Sequence, residues 1–242
     1  MPSEPLKIGF DVKFDEAIKA AADRGVVLPD EYYGELQGLA RQLAFSIAGI
    51  TSYDQLQNVK DSLTAAVNDG ISLEDWKRKA LSGGTLELSA GRLDNIFRTN
   101  IQSNYNRGRW QKLQSVKNTR PYLMYDAIND SRVRPTHLAL DGVIKPYDSK
   151  FWDTHAPLNG YRCRCRLISL TESQAESRSG VNKGLNKPID LNKMVPDDGW
   201  NYNPGADLTH GVNNAIKERI KKHSGTPLAD ALRSIADRKN NA

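Results

Sequence analysis

The sequence predicts an α+β protein: a mainly helical N-terminal region, a long connecting helix, a small irregular β-containing motif domain and a helical C-terminal tail. Three observations carry that reading. Apolar residues recur at three- and four-residue steps from Val12 to Val116, the mark of amphipathic helices. From Pro121 the chain turns to strand formers separated by Pro and Gly. Past Gly211 a basic amphipathic pattern returns. The implied segments are 1–85 (helical), 86–172 (long helix and motif domain), 173–210 (polar loop and Gly/Pro turn region) and 211–242 (basic helical tail).

The first helix covers Val12 to Arg24, with Phe14, Ala17, Ile18 and Ala21 on one face and Gly25 as its stop. Pro29-Asp30 opens a second, whose stripe runs from Leu36 to Ile47 through Ala44. Ser52 with Gln55 forms a capping box ahead of Leu56, Val59, Leu63, Ala66 and Val67. Ser72 with Asp75 starts a short helix that carries Trp76. The long helix begins at Leu86 or Ser89 and places Leu93, Ile96, Phe97 and Ile101 on one side. Gly108 inside it predicts either close packing or a bend, since glycine costs about 1 kcal/mol in a helix.

After Asn118 the expected elements are short. Pro121 to Ala127 reads as a strand, Pro135 to Leu140 as a helix with Pro in its first turn, and Val143-Ile144 as a strand stopped by Pro146. Arg162 to Thr171 reads as a longer strand, and Ser173 to Lys187 as an exposed polar loop.

With 242 residues, 38% of them hydrophobic, the chain has enough material for a sizeable core but no run of apolar residues long enough to span a membrane. Its start lacks a basic, then apolar, signal sequence, so synthesis in the cytoplasm is expected. A net charge of +5 is only a mild lean towards polyanions. Two cysteines cannot make a disulfide framework.

Chemistry concentrates between Asp130 and Arg166. In an extended segment Cys163 and Cys165 would share one face while Arg162, Arg164 and Arg166 share the other. Zinc takes Cys, His and Asp ligands. Cys163, Cys165 and His137, with Asp141 or His155 as the fourth, would complete such a site. The alternative has the cysteines as small buried hydrophobes and His137 hydrogen-bonded to the chain nearby. The arginines, with Arg132 and Arg134, offer a cationic surface for phosphates or acidic partners; the alternative is pairing within the molecule. Phe151 and Trp152 read as core anchors. Phosphate-binding, nucleophile-elbow, His-Glu-x-x-His and zinc-deaminase signatures are all missing.

On these residues the chain resembles the phage Mu F-like minor head protein family. The resemblance rests on Arg132 to Gly142, Phe151-Trp152-Asp153 and Pro157 to Cys165. It extends to Phe97 to Asn100 and Tyr105 to Arg109 upstream, and to Gly199 to Gly205 downstream. It implies a non-enzymatic role in head morphogenesis, inside the procapsid at or near the portal vertex. The implied partners are portal, capsid or scaffold proteins, and double-stranded DNA contacted without sequence preference; no membrane is involved. The signature residues His137, Asp141, Cys163 and Cys165 would then brace a small subdomain, with zinc as the candidate metal. Where many relatives carry His-Pro-Asn before the first cysteine, this chain has Leu158-Asn159-Gly160-Tyr161, so if that histidine is a ligand elsewhere, His155 or His137 replaces it here or no metal binds. Two rivals follow from the same residues. A metal-dependent hydrolase (nuclease or peptidase) requires an open metal position lined by carboxylates, and a free DNA-binding module requires affinity that falls steeply with salt.

Overall fold

The computed structural model describes residues 15–22, 24–26, 44–47, 53–82, 88–205 and positions 221, 224–225, 229–230 and 233. Its elements are α1 (Asp15–Ala22), β1 (Gly25–Val26), β2 (Ala44–Phe45), α2 (Tyr53–Asp69), α3 (Leu73–Ser82) and α4 (Ala90–Gln114). They continue with β3 (Tyr122–Asp126), α5 (Pro135–Leu140), β4 (Ile144–Pro146), α6 (Phe151–His155), β5 (Arg166–Leu170) and α7 (Glu172–Ser177). The mixture of helices with a small antiparallel sheet is α+β.

The 25-residue helix α4 is the common axis. Ser89 caps it by accepting a hydrogen bond from the Arg92 backbone N–H, which satisfies one of the helix's unpaired donors. Its first half contributes Leu93, Ile96, Phe97 and Ile101 to a core shared with Ala17 of α1, Leu56, Val59 and Leu63 of α2 and Trp76 of α3. Trp76 packs against Phe97 with ring centroids 5.3 Å apart and donates its indole N–H to Ser62 Oγ. Ser72 starts α3 as its spacing predicts, accepting from the Asp75 backbone N–H at 3.1 Å. Gly108 answers the packing alternative: a Cβ there would sit 2.6 Å from the Ala17 backbone N, so α1 crosses α4 where a side chain is missing.

The second half of α4 contributes Leu113 to a different core, built on one face of the sheet β4-β3-β5. Alternation along β3 decides which side chain goes where. Leu123 and Tyr125 enter this core with Trp152, Leu158, Cys163, Cys165 and Leu167. Tyr122 and Met124 face the opposite side, which α7 covers through Ala175. Arg120 ties these layers, donating to Ser169 O and Oγ and to Gln174 Oε1.

Four expectations change. Ala44-Phe45 is not helical but a two-residue strand parallel to Gly25-Val26, and Ser46 and Ile47 after it are not helical either; the part of that predicted helix before Ala44 lies outside the described residues. Gly25 therefore belongs to β1 rather than to a helix cap. The strand predicted from Arg162 begins only at Arg166, because Arg162 adopts a left-handed φ of 57° that breaks extension. The polar stretch after Thr171 opens with α7, held by a capping box in which the Thr171 and Gln174 side chains exchange hydrogen bonds with each other's backbone N–H. The basic tail and the Ser52 cap fall outside the described residues, apart from the few tail positions named above. No described helix is long and apolar enough to cross a membrane.

Candidate functional site

His137, Cys163 and Cys165 meet inside the second core. Their nitrogen and sulfur atoms all lie within 4.8 Å of one another. All three side chains are buried. Pro135 starts α5, and two residues later His137 points inward while Leu138, next along the helix, is exposed. The chain reaches the cysteines through a turn in which the Cys163 N–H bonds Gly160 O. Both sulfurs converge on one imidazole nitrogen: Cys163 Sγ is 3.6 Å and Cys165 Sγ 3.8 Å from His137 Nδ1. Nε2 of the same ring has no hydrogen-bond partner among the described residues.

Helix α4 holds this turn from below. Thr99 Oγ1 accepts from the Arg162 N–H at 3.2 Å, and Asn106 Nδ2 donates to Cys165 O. Asp94 pairs with Arg162 and, on the same helix, with Arg98. From the sheet side, the Tyr125 hydroxyl donates to Asn159 Oδ1 at 2.8 Å, and Asn159 Nδ2 reaches Ala156 O. None of these supporting groups was singled out as a site residue on the sequence. Phe97 to Asn100 and Tyr105 to Arg109 are the stretches in which a signal for Thr99 and Asn106 was present.

The two thiols titrate as a pair. A hydrogen bond from Cys163 lowers Cys165 to about 5, aided by His137, while the same interaction and burial push Cys163 well up. Burial, then the two sulfurs beside it, drive the Tyr125 hydroxyl well up as well. Deep burial removes these thiols from attack on an external substrate.

The structure brings neither Asp141 nor His155 to this cluster. Asp141 accepts from the Ala127 N–H and from Asn129 Nδ2, pinning the chain after β3 to the end of α5. His155 bonds Met194 O through Nε2 at 2.9 Å, contacts Thr154 Oγ1 through Nδ1, and stacks on Phe151. Burial lowers its pKa, which favours the neutral ring.

Each of the five arginines has an aspartate within ion-pair distance. Arg164 binds Asp130 through both terminal nitrogens at 2.6 and 2.7 Å. That contact holds the Asp130 carboxyl well below the usual carboxylate range. Arg166 pairs with Asp126, Arg134 with Asp197, Arg162 with Asp94, and Arg132 with Asp130. Arg132, Arg134, Arg162 and Arg164 line a cleft of about 20 Å³ over the cysteines, and among the described residues no carboxylate lines it.

A family model described as phage Mu protein F like protein matches residues 57–168, a span holding all three cluster residues and α4. Over that span the chain is similar to the Mu F-like family. The chain is 26% identical over 268 aligned positions to the putative capsid assembly protein F of Escherichia phage Mu, an alignment covering 91% of the chain and 61% of the relative. It is 28% identical over 233 positions to the Mu-like prophage FluMu F protein of Haemophilus influenzae, covering 79% of the chain and 56% of the relative. The chain thus spans about three-fifths of the length of the curated relatives it matches. No solved structure matches it. The span matched by the family model starts inside α2, well before the motifs that carry the resemblance on the sequence, and excludes Gly199 to Gly205.

Proposed function

We propose that this chain is a structural component of phage head assembly rather than an enzyme. The alignment with a phage Mu protein named for capsid assembly, across 91% of the chain, carries this reading. The geometry of the motif region supports it. The motif residues are spent on packing and ion pairs, and the cleft above the cysteines is narrow and lined by arginine. The hydrolase rival calls for an open metal position lined by carboxylates, and among the described residues none lines this cleft.

The finer placement is inside the procapsid, at or near the portal vertex, against portal, capsid or scaffold proteins. Contact with packaged double-stranded DNA is a secondary reading, because the arginines that would grip phosphate are already paired with aspartates. Exchanging those pairs for phosphates releases little net charge, so a shallow dependence of DNA affinity on salt is expected. The deciding experiment is purification of procapsids carrying a tagged copy of the chain. Co-sedimentation with portal-containing particles, and aberrant heads when the chain is removed, are expected. Procapsids of normal form lacking the chain would overturn the assembly role, and particles that retain it without portal would overturn the vertex placement.

A further inference from the structure

We propose that His137, Cys163 and Cys165 form a zinc site, with His137 Nδ1 and the two Sγ atoms as protein ligands and the fourth position opening on the arginine-lined cleft. The distances argue for a shared ion. A tetrahedral zinc with Zn–S of about 2.3 Å and Zn–N of about 2.0–2.1 Å sets sulfur and nitrogen ligands about 3.5–3.6 Å apart. The two sulfurs stand 3.6 and 3.8 Å from Nδ1. Hydrogen bonding explains this convergence poorly. A ring nitrogen carries either one proton or one lone pair, so it serves one sulfur well and a second badly. A cation between the three atoms serves all of them at once.

The surroundings fit the same donor set. Two sulfurs and an imidazole are the ligands zinc takes in tetrahedral sites. Two thiolates in an apolar core among Leu140, Leu158 and Leu167 are costly alone, and a divalent cation neutralises them. Ligation through Nδ1 fixes the proton on Nε2. The cleft has about 20 Å³, room for one water-sized ligand at the fourth position. Such an ion fastens α5 to the turn before β5, which are otherwise joined by the Arg134 contact with Tyr161 O.

The test is metal analysis of the purified full chain, produced in zinc-containing medium and freed of loose metal by gel filtration. About one zinc per chain is expected. Replacement by cobalt(II) should give the strong visible absorption of a tetrahedral ion together with a thiolate-to-cobalt charge-transfer band. Cys163→Ser and Cys165→Ser should each lower zinc retention at least tenfold and weaken that band. A folded chain that carries no zinc, takes up none from a buffered zinc solution and gives no charge-transfer band overturns the site, as does full zinc retention in both variants. Should the variants fail to fold, the cobalt spectrum of the unaltered chain decides alone. Zinc content is read on the isolated chain, so its failure leaves the assembly reading intact, and the reverse.

Discussion

The two halves of α4 serve two cores made in different ways. Around its N-terminal half, stability comes from periodic apolar stripes on α1, α2 and α3, packed side chain against side chain. In the second core the regular elements are few and short, and side chains bond backbone or one another across long sequence distances: Thr99 to the Arg162 N–H, Asn106 to Cys165 O, and the Tyr125 hydroxyl to Asn159 Oδ1. The first core tolerates a change of apolar shape in proportion to the volume lost. The second depends on particular polar groups in particular places, because each buried one that loses its partner costs its desolvation in full.

The largest effect that separates the halves comes from their tryptophans. Trp152→Ala removes a side chain 1% exposed that donates its N–H to Pro146 O, at a cost of about 3–5 kcal/mol. Hydrogen exchange should then show β3 and β5 amides losing protection while α2 and α3 keep theirs. Uniform loss across both would show the halves to be one cooperative unit. Next comes α4 itself. Gly108→Ala should cost about 1–3 kcal/mol in a urea melt, since its Cβ meets the α1 backbone, which cannot step aside as a side chain does. Gly91→Ala, in the same helix with nothing near its Cβ, should gain up to about 1 kcal/mol. Equal effects at the two glycines would remove the crossing argument.

A smaller change targets the link between the helix and the cysteine turn. Asn106→Ala deletes a buried amide that donates to Gln102 O and Cys165 O, leaving Cys165 O short of a partner; about 1–3 kcal/mol is expected. The effect should concentrate on the second core, read as faster alkylation of Cys163 and Cys165. Unchanged thiol reactivity would mean that α4 does not position the turn.

Legibility in the sequence follows the same division. The periodic stripes of α2 and α4 and the cap at Ser72 are local signals, and local signals set those elements. His137, Cys163 and Cys165 could be grouped by residue chemistry, although the strand invoked to align the cysteines does not exist at that point. Asp141 and His155 carry ligand chemistry equally well on paper, and only the fold shows that their polar atoms are spent elsewhere. The pairing of each arginine with an aspartate was equally hidden. Arg166 and Asp126 are 40 residues apart and meet because β5 and β3 align them in register. The helix α7 was readable, since Thr171 and Gln174 have capping-box spacing, but the polar composition after it drew the reading towards a loop.

The smallest expected effect is electrostatic and falls on the second half alone. His155 is buried and hydrogen-bonded to Met194 O, and burial lowers its pKa in the fold. The unfolded chain therefore binds a proton at His155 more readily than the folded one does. That makes stability contributed by the neutral ring fully present above the unfolded value of about 6.5 and progressively lost as pH falls from there towards the depressed folded value. Asp130, also depressed, adds a loss of the same sign but only at lower pH, in the range where carboxylates titrate. A denaturation series between pH 7 and 5 should thus show the native protein losing stability on acidification, with His155→Gln flattening the upper part of that slope and Asp130→Asn leaving it unchanged. Should His155→Gln leave the slope intact, the proton uptake belongs to another group, and burial is not what keeps His155 neutral.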